Sequence, residues 1–283
     1  MRIFLPGGSG FIGSPLSAHL RDLGNEVIVA SRSPAADIFM DVRSQTDLEL
    51  ESLLRKVRPD VVVDLIGVGL SGDDTPSSDL LRLNRDWPVR LTEVVSRMQG
   101  IEVLHLASST AIAEFDGRRE SPYSESKYLA SAILGRKRAE GARVHQIFVH
   151  NVYGPDQPHQ RFIRFAVTAA ADNAPLELRY PNRVRDFILV TDAVDMICAA
   201  VEDPPRAHGL HIGTGKGHTL LEVSQLTYEL SGSDPSMIQV LDDSTDPFHS
   251  TVATNEGFLG TTHVPLDTGL RCVIDAEQSR RHR

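Results

Sequence analysis

The chain predicts an α/β fold: a Rossmann-type doubly wound parallel sheet with a smaller, interleaved C-terminal substrate domain. Three observations carry that expectation. An apolar strand runs directly into glycines at Gly7, Gly10 and Gly13; short β-branched runs alternate with helical stretches behind it; and a Tyr123-x-x-x-Lys127 pair follows far downstream.

The first strand opens the chain. Residues 2–13 read Arg-Ile-Phe-Leu-Pro-Gly-Gly-Ser-Gly-Phe-Ile-Gly. Glycine lets a backbone turn tightly and approach a pyrophosphate, and the helix that follows aims its unpaired N–H groups and positive dipole end at that anion. Gly7, Gly10, Phe11, Ile12 and Gly13 are therefore candidate cofactor contacts. Further β-branched runs fall at 26–30, 60–65, 102–106 and 144–149, separated by helical stretches at 11–23, 78–98 and 123–140. That rhythm belongs to a parallel sheet covered on both faces.

After Asn151-Val-Tyr-Gly-Pro155 the pattern changes. A helix is expected at about 161–171, a strand at 175–180, a strand and helix across 186–201, and a last strand–helix pair at 209–230, ahead of a less regular tail with a frayed basic end at 280–283. The dinucleotide domain is assigned residues 1–150 and 184–214, the substrate domain 151–183 and 215–283.

With 283 residues, 41% hydrophobic and 24% charged, the chain can bury one large core with a smaller annexe. A net charge of −9 argues against a nucleic-acid or acidic-membrane surface. Cys198 and Cys272 do not make a disulfide framework, which suits a reducing compartment. With no signal-peptide pattern ahead of the first strand and no apolar run of membrane-spanning length, a cytoplasmic protein is expected.

In a doubly wound sheet, ligands sit beyond the carboxyl ends of the strands. After the second strand come Ser31-Arg32-Ser33, where an acidic residue would bind the ribose 2′-hydroxyl of NAD. An arginine between hydroxyls suits a 2′-phosphate instead, because its planar fork matches phosphate geometry. NADP(H) is thus favoured, with NAD(H) as the alternative. Asp41, followed by Val42, is placed to accept from an adenine amino group.

The strand at 102–106 leads into Ala107-Ser108-Ser109-Thr110, and Tyr123 and Lys127 share one helix face four residues apart. A tyrosine ordinarily titrating near 10 needs a shift of about 3 units, roughly 4 kcal/mol, to act as an acid or base near neutrality. A neighbouring ammonium favours the phenolate, and a Ser/Thr hydroxyl orients the substrate oxygen. His208-x-x-His211 lacks a third ligand at a recognisable spacing, so no metal is expected. Arg161 and Arg164 fall on one helix face, read as solvated.

Taken together, these motifs resemble the extended short-chain dehydrogenases/reductases, in their branch of sugar-nucleotide epimerases, dehydratases and reductases. The resemblance rests on the glycine run and Pro122-Tyr-Ser-Glu-Ser-Lys127, on Asn84 and Asn151-Val-Tyr-Gly-Pro155. It extends through Arg185-Asp-Phe-Ile-Leu-Val-Thr-Asp192, His211-Ile-Gly-Thr-Gly215 and Pro265-Leu-Asp-Thr-Gly-Leu-Arg271. It implies that Tyr123 is the general acid/base, Lys127 the ribose ligand that tunes it, and Thr110 the hydroxyl partner, with Ser108 beside the cofactor and Ser109 beside the substrate. Asn151 and Arg185 would hold a nucleotide diphosphate, and a homodimer is the implied assembly.

Departures from the family pattern sharpen the reading. Where dehydratases of the family carry an Asp-Glu pair after the threonine, this chain has Ala111-Ile112, which argues against dehydration. The family's His-Leu-Ala-Ala reads Asp64-Leu65-Ile66-Gly67, leaving Ile66 and Gly67 as backbone contacts to the cofactor. Apolar residues at 147–149 stand where an arginine is usual. The function expected is an NADPH-dependent ketoreductase acting on a nucleotide-linked keto-deoxysugar; the alternative is a sugar-nucleotide epimerase with bound NAD.

Overall fold

The computed structural model describes residues 1–69, 75–109, 122–205, 209–242, 251–253 and 263–282. Among them, 1–149 with 194–211 form one compact unit, and 150–193 with 212–253 and 263–282 form a second.

In the first unit, β1 (Arg2–Pro6), β2 (Glu26–Ser31), β3 (Ile38–Phe39), β4 (Val61–Asp64), β5 (Glu102–Ser108), β6 (Val144–Val149) and β10 (Leu210–Ile212) form a seven-stranded sheet in the order β10-β6-β5-β4-β1-β2-β3. Every pairing from β6 to β3 is parallel. The order reverses after β1, which puts the β1 end at a topological switch point. All four residues of β4 are buried, as a central parallel strand covered on both faces requires.

Helices α1 (Gly13–Asp22), α2 (Asp47–Val57), α3 (Ser77–Leu81), α4 (Trp87–Ser96) and α5 (Pro122–Ala139) make the crossovers. Leu50, Leu54, Val57, Leu91, Val94 and Leu134 pack with Phe4, Val62 and Val103 in one core cluster. The long helix expected at 78–98 is present but interrupted: Arg82–Asp86 is a π-helical turn, closed by a bond from the Trp87 amide to the Arg82 carbonyl. Helix α2 was not anticipated, although Thr46 and Glu49 form a reciprocal capping box ahead of its Leu50, Leu54, Val57 stripe.

The second unit holds β7 (Asn151–Tyr153), α6 (Phe162–Ala171), β8 (Leu176–Arg179), β9 (Val184–Leu189), the start of α7 (Val190–Glu202), β11 (Gly217–Thr219), α8 (Leu220–Ser231), β12 (Ile238–Asp242) and α9 (Leu266–Arg281). Its strands form a β11-β9-β7 sheet and a β12-β8 pair. The tail expected to be irregular is helical from Leu266, because Leu270, Val273 and Ile274 pack with Tyr153, Ile163, Phe187 and Val223 in this unit's core. Within the basic end, Arg280 and Arg281 belong to this helix and both pair with Glu277.

One expectation fails outright. Arg164 is 4% exposed, its guanidinium 2.6 Å from Glu277 of α9. A helix whose neighbours Ile163, Ala166 and Val167 are buried carries Arg164 inward with them, and the partner that makes this tolerable lies far away in sequence.

Candidate active site

The glycine loop is built as the motif demands. The Gly7 amide bonds the Ala30 carbonyl at 2.8 Å, and its φ of +79° lies in the region only glycine enters freely. A Cβ on Gly13 would sit 2.6 Å from the Gly8 α-carbon, so the close turn into α1 also excludes a side chain. Phe11 and Ile12 lead into that helix, whose first turn has no acidic residue, leaving its positive end open to an anion.

At the end of β2, the Ser9 hydroxyl donates to the Ser31 Oγ at 2.7 Å, and Ser31 Oγ accepts the Ser33 amide at 3.0 Å. Arg32 is exposed beside them. Asp41 is already engaged: Arg43 Nε reaches both its oxygens at 3.0 and 3.2 Å, and Arg43 Nη2 adds a bond of 2.7 Å. These bonds, aided by the charges of Arg43 and Arg32, hold the Asp41 carboxyl at about 2. An adenine amino group would share Asp41 with Arg43, a competition that local sequence did not suggest. Val42, next along, is buried.

Tyr123 lies in the first turn of α5, which starts at Pro122, where a missing amide costs nothing. Lys127 stands one turn on, 6% exposed. The turn is fastened by Ser126, whose hydroxyl donates to the Tyr123 carbonyl at 2.7 Å and accepts from Asn84 Nδ2 at 3.1 Å. Asn84, fully buried at the centre of the π-helical turn, also takes the Val68 amide at 3.0 Å and donates to the Val68 carbonyl at 2.9 Å.

Residues 65–69, after β4, lie against both halves of this site. A Cβ on Gly7 would meet the Leu65 carbonyl carbon at 3.0 Å and the Ile66 nitrogen at 3.1 Å. A Cβ on Gly67 would lie 3.0 Å from Lys127 Nζ, and one on Gly69 3.1 Å from the Tyr123 ring. The predicted Ile66, Gly67, Tyr123 and Lys127 are thus brought together. Ser108 and Ser109 stand at the end of β5, Ser109 buried; Thr110 lies outside the described residues.

The sequence reading missed what anchors that loop. Asp64 Oδ1 accepts from Trp87 Nε1 at 2.8 Å and from the Ile66 amide at 3.2 Å, and Asp64 Oδ2 lies 2.8 Å from His105 Nδ1. The departure at Asp64 was visible in sequence, but not the histidine and tryptophan that answer it from β5 and α4.

In the second unit, Asn151 pairs in register with Phe187. Arg185 is 3% exposed, shares a β9 face with Phe187, and donates to the Val184 carbonyl at 2.8 Å. Asp186, next to it, caps the Thr214 and Gly215 amides at 2.9 Å. Phe187 lines a cavity of about 560 Å³ that also carries Lys216, His218, Glu222 and His263. His211 stacks on Phe148 with ring centroids 5.2 Å apart, and burial pushes its pKa down; His208 is outside the described residues. Among the described residues no group of three or more His, Cys, Asp or Glu could hold a metal, and no helix is long and apolar enough to cross a membrane.

Comparison with known proteins gives a consistent pattern. The family model described as "NAD dependent epimerase/dehydratase family" matches residues 3–213. A dTDP-6-deoxy-L-talose 4-dehydrogenase (NAD(P)(+)) of Kitasatospora kifunensis is 28% identical over 272 residues, covering 87% of this chain and 84% of the relative. A GDP-6-deoxy-D-talose 4-dehydrogenase of Aggregatibacter actinomycetemcomitans is 27% identical, covering 82% and 80%. Among solved structures, MoeE5 in complex with UDP-glucuronic acid and NAD superposes with a TM-score of 0.83 at 27% identity, covering 100% of both chains.

Proposed function

The chain belongs to the NAD dependent epimerase/dehydratase family, and from that premise we propose that it is an NADPH-dependent ketoreductase of a nucleotide-linked keto-deoxysugar. The observation that carries the reading is the Tyr123–Lys127 pair, one turn apart at the start of α5 and held against residues 65–69. Two relatives that are 4-dehydrogenases of 6-deoxytalose nucleotides support it, since oxidation of a sugar carbinol run backwards is reduction of a ketosugar.

The residues present fit a dinucleotide. The Gly7–Gly13 loop and the open end of α1 suit the pyrophosphate, and Arg32 suits a 2′-phosphate. When bound, the reduced nicotinamide supplies the hydride. Tyr123 hands its phenolic proton to the carbonyl oxygen as that oxygen gains charge, and the Lys127 ammonium steadies the phenolate left behind. Thr110 steadies the substrate oxygen, with Ser108 and Ser109 beside it. In the second unit, Arg185 and Asn151 are the residues assigned to the diphosphate.

The epimerase reading keeps one specific observation, the NAD held by the MoeE5 structure. A direct test separates the two. Purified protein is checked for co-purifying nucleotide, titrated with NADPH and NADH by nicotinamide fluorescence, and offered nucleotide-linked ketosugars. Reversible, NADPH-selective binding with cofactor oxidation is expected, and Tyr123→Phe should lower that rate about a hundredfold or more with binding retained. Tightly retained NAD with no net cofactor turnover would move the epimerase into first place.

A further inference from the structure

We infer that Asp64, His105 and Trp87 act together as positioning residues for the cofactor side of the site, working through the backbone of residues 65–69. The inference rests on the dinucleotide reading above and extends it to residues that touch neither cofactor nor substrate.

The three side chains are buried, at 0%, 1% and 2% exposure, and each comes from a different element: the end of β4, the middle of β5 and the start of α4. Asp64 and His105 are register partners on adjacent parallel strands, so their side chains leave the same sheet face. As a carboxylate, Asp64 only accepts, so the His105 proton must sit on Nδ1, and Oδ1 is shared between Trp87 Nε1 and the Ile66 amide. Burying such a set does not by itself favour folding: well-packed apolar side chains of similar volume would serve stability as well or better. What apolar residues cannot do is hold a particular backbone amide in a particular direction.

That amide is where the set has leverage. Ile66 is the second residue past the strand, against the Gly7 turn, and Gly67 next to it faces Lys127 Nζ. Two residues on, Asn84 grips both backbone groups of Val68. The loop is therefore pinned at each end by a side chain from another element, Asp64 before Gly67 and Asn84 after it. Releasing the Asp64 end lets Ile66 and Gly67 drift from the positions against which Lys127 and the glycine loop are set.

The test separates positioning from stability. Asp64→Leu, Asp64→Asn and the triple variant D64L/H105L/W87F are compared with the parent in melting temperature and in affinity for NADPH and NADH. Asp64→Leu should weaken cofactor binding at least tenfold and also melt earlier, since it strands two buried donors. The triple variant should regain most of the melting temperature and none of the affinity. Asp64→Asn, which keeps an acceptor for the Ile66 amide, should stay within about threefold of the parent. Parental affinity in the triple variant, or losses that follow melting temperature across the set, would overturn the inference. If the triple variant does not fold, the contrast between Asn and Leu at position 64 decides alone: equal affinities overturn it. A parent that binds neither cofactor sinks the dinucleotide reading, a failure distinct from a parent that binds and a triple variant that binds equally well.

Discussion

Asp41 is committed to Arg43 by three side-chain hydrogen bonds and one from the Arg43 amide, which lower its pKa to about 2. The sign of the linkage follows. An unfolded aspartate titrates near 3.9, so the pair contributes stability that is complete above about pH 4 and is lost as pH falls towards 2. Carboxyl NMR should show Asp41 titrating near 2 in the parent and close to the ordinary value in Arg43→Met; a parental value near 4 would mean that the pair does not form in solution. Arg164 makes a related point about what local sequence can reveal. Its spacing from Arg161 reads as a polar stripe, yet its environment is decided by Glu277, 113 positions later. By contrast, Tyr123 and Lys127 were legible because their chemistry depends on a spacing of four within one helix.

At the level of elements, α6 and α9 are tied by Arg164 and Glu277, both almost wholly buried, with Arg281 also on Glu277 at 3.0 Å. Glu277→Ala leaves the Arg164 charge buried and uncompensated and should destabilise the protein by about 3–5 kcal/mol in denaturant unfolding. The double change to Met at 164 and Leu at 277 should recover much of that loss. An equal loss in both would assign the effect to packing rather than charge. Five of the seven strands of the first unit's sheet, β1, β2, β4, β5 and β6, were legible because buried parallel strands are continuous apolar runs. Helix α2 was overlooked although its capping box is written in Thr46-x-x-Glu49, and α9 because its Leu266, Leu270, Val273, Ile274 spacing lay in a stretch dominated by polar residues. The π-helical turn could not be read at all: Arg82–Asp86 has ordinary helical composition, and only the engagement of Asn84 by Val68 and Ser126 accounts for where it falls.

Among the described residues one chain threads two compact units. Residues 194–211 return to the first unit, supplying β10 at the edge of the main sheet and the buried Val194, Ile197, Ala200 and Val201 of α7. A fragment of residues 1–149 should therefore lack a strand beside β6 and part of its helical cover. Produced alone, it should melt well below the full chain and bind a dye for exposed apolar surface; a fragment with full-length melting behaviour would show that the return segment adds nothing. The alternation of strands and helices announced the parallel sheet, but which later segments rejoin it depends on long-range pairing that periodicity does not encode. This threading bears on heredity. Among the described residues the chain passes between units at 149/150, 193/194 and 211/212, so no single genetic crossover can exchange one unit whole and leave the other intact. A second unit taken entire from another gene would need more than one crossover.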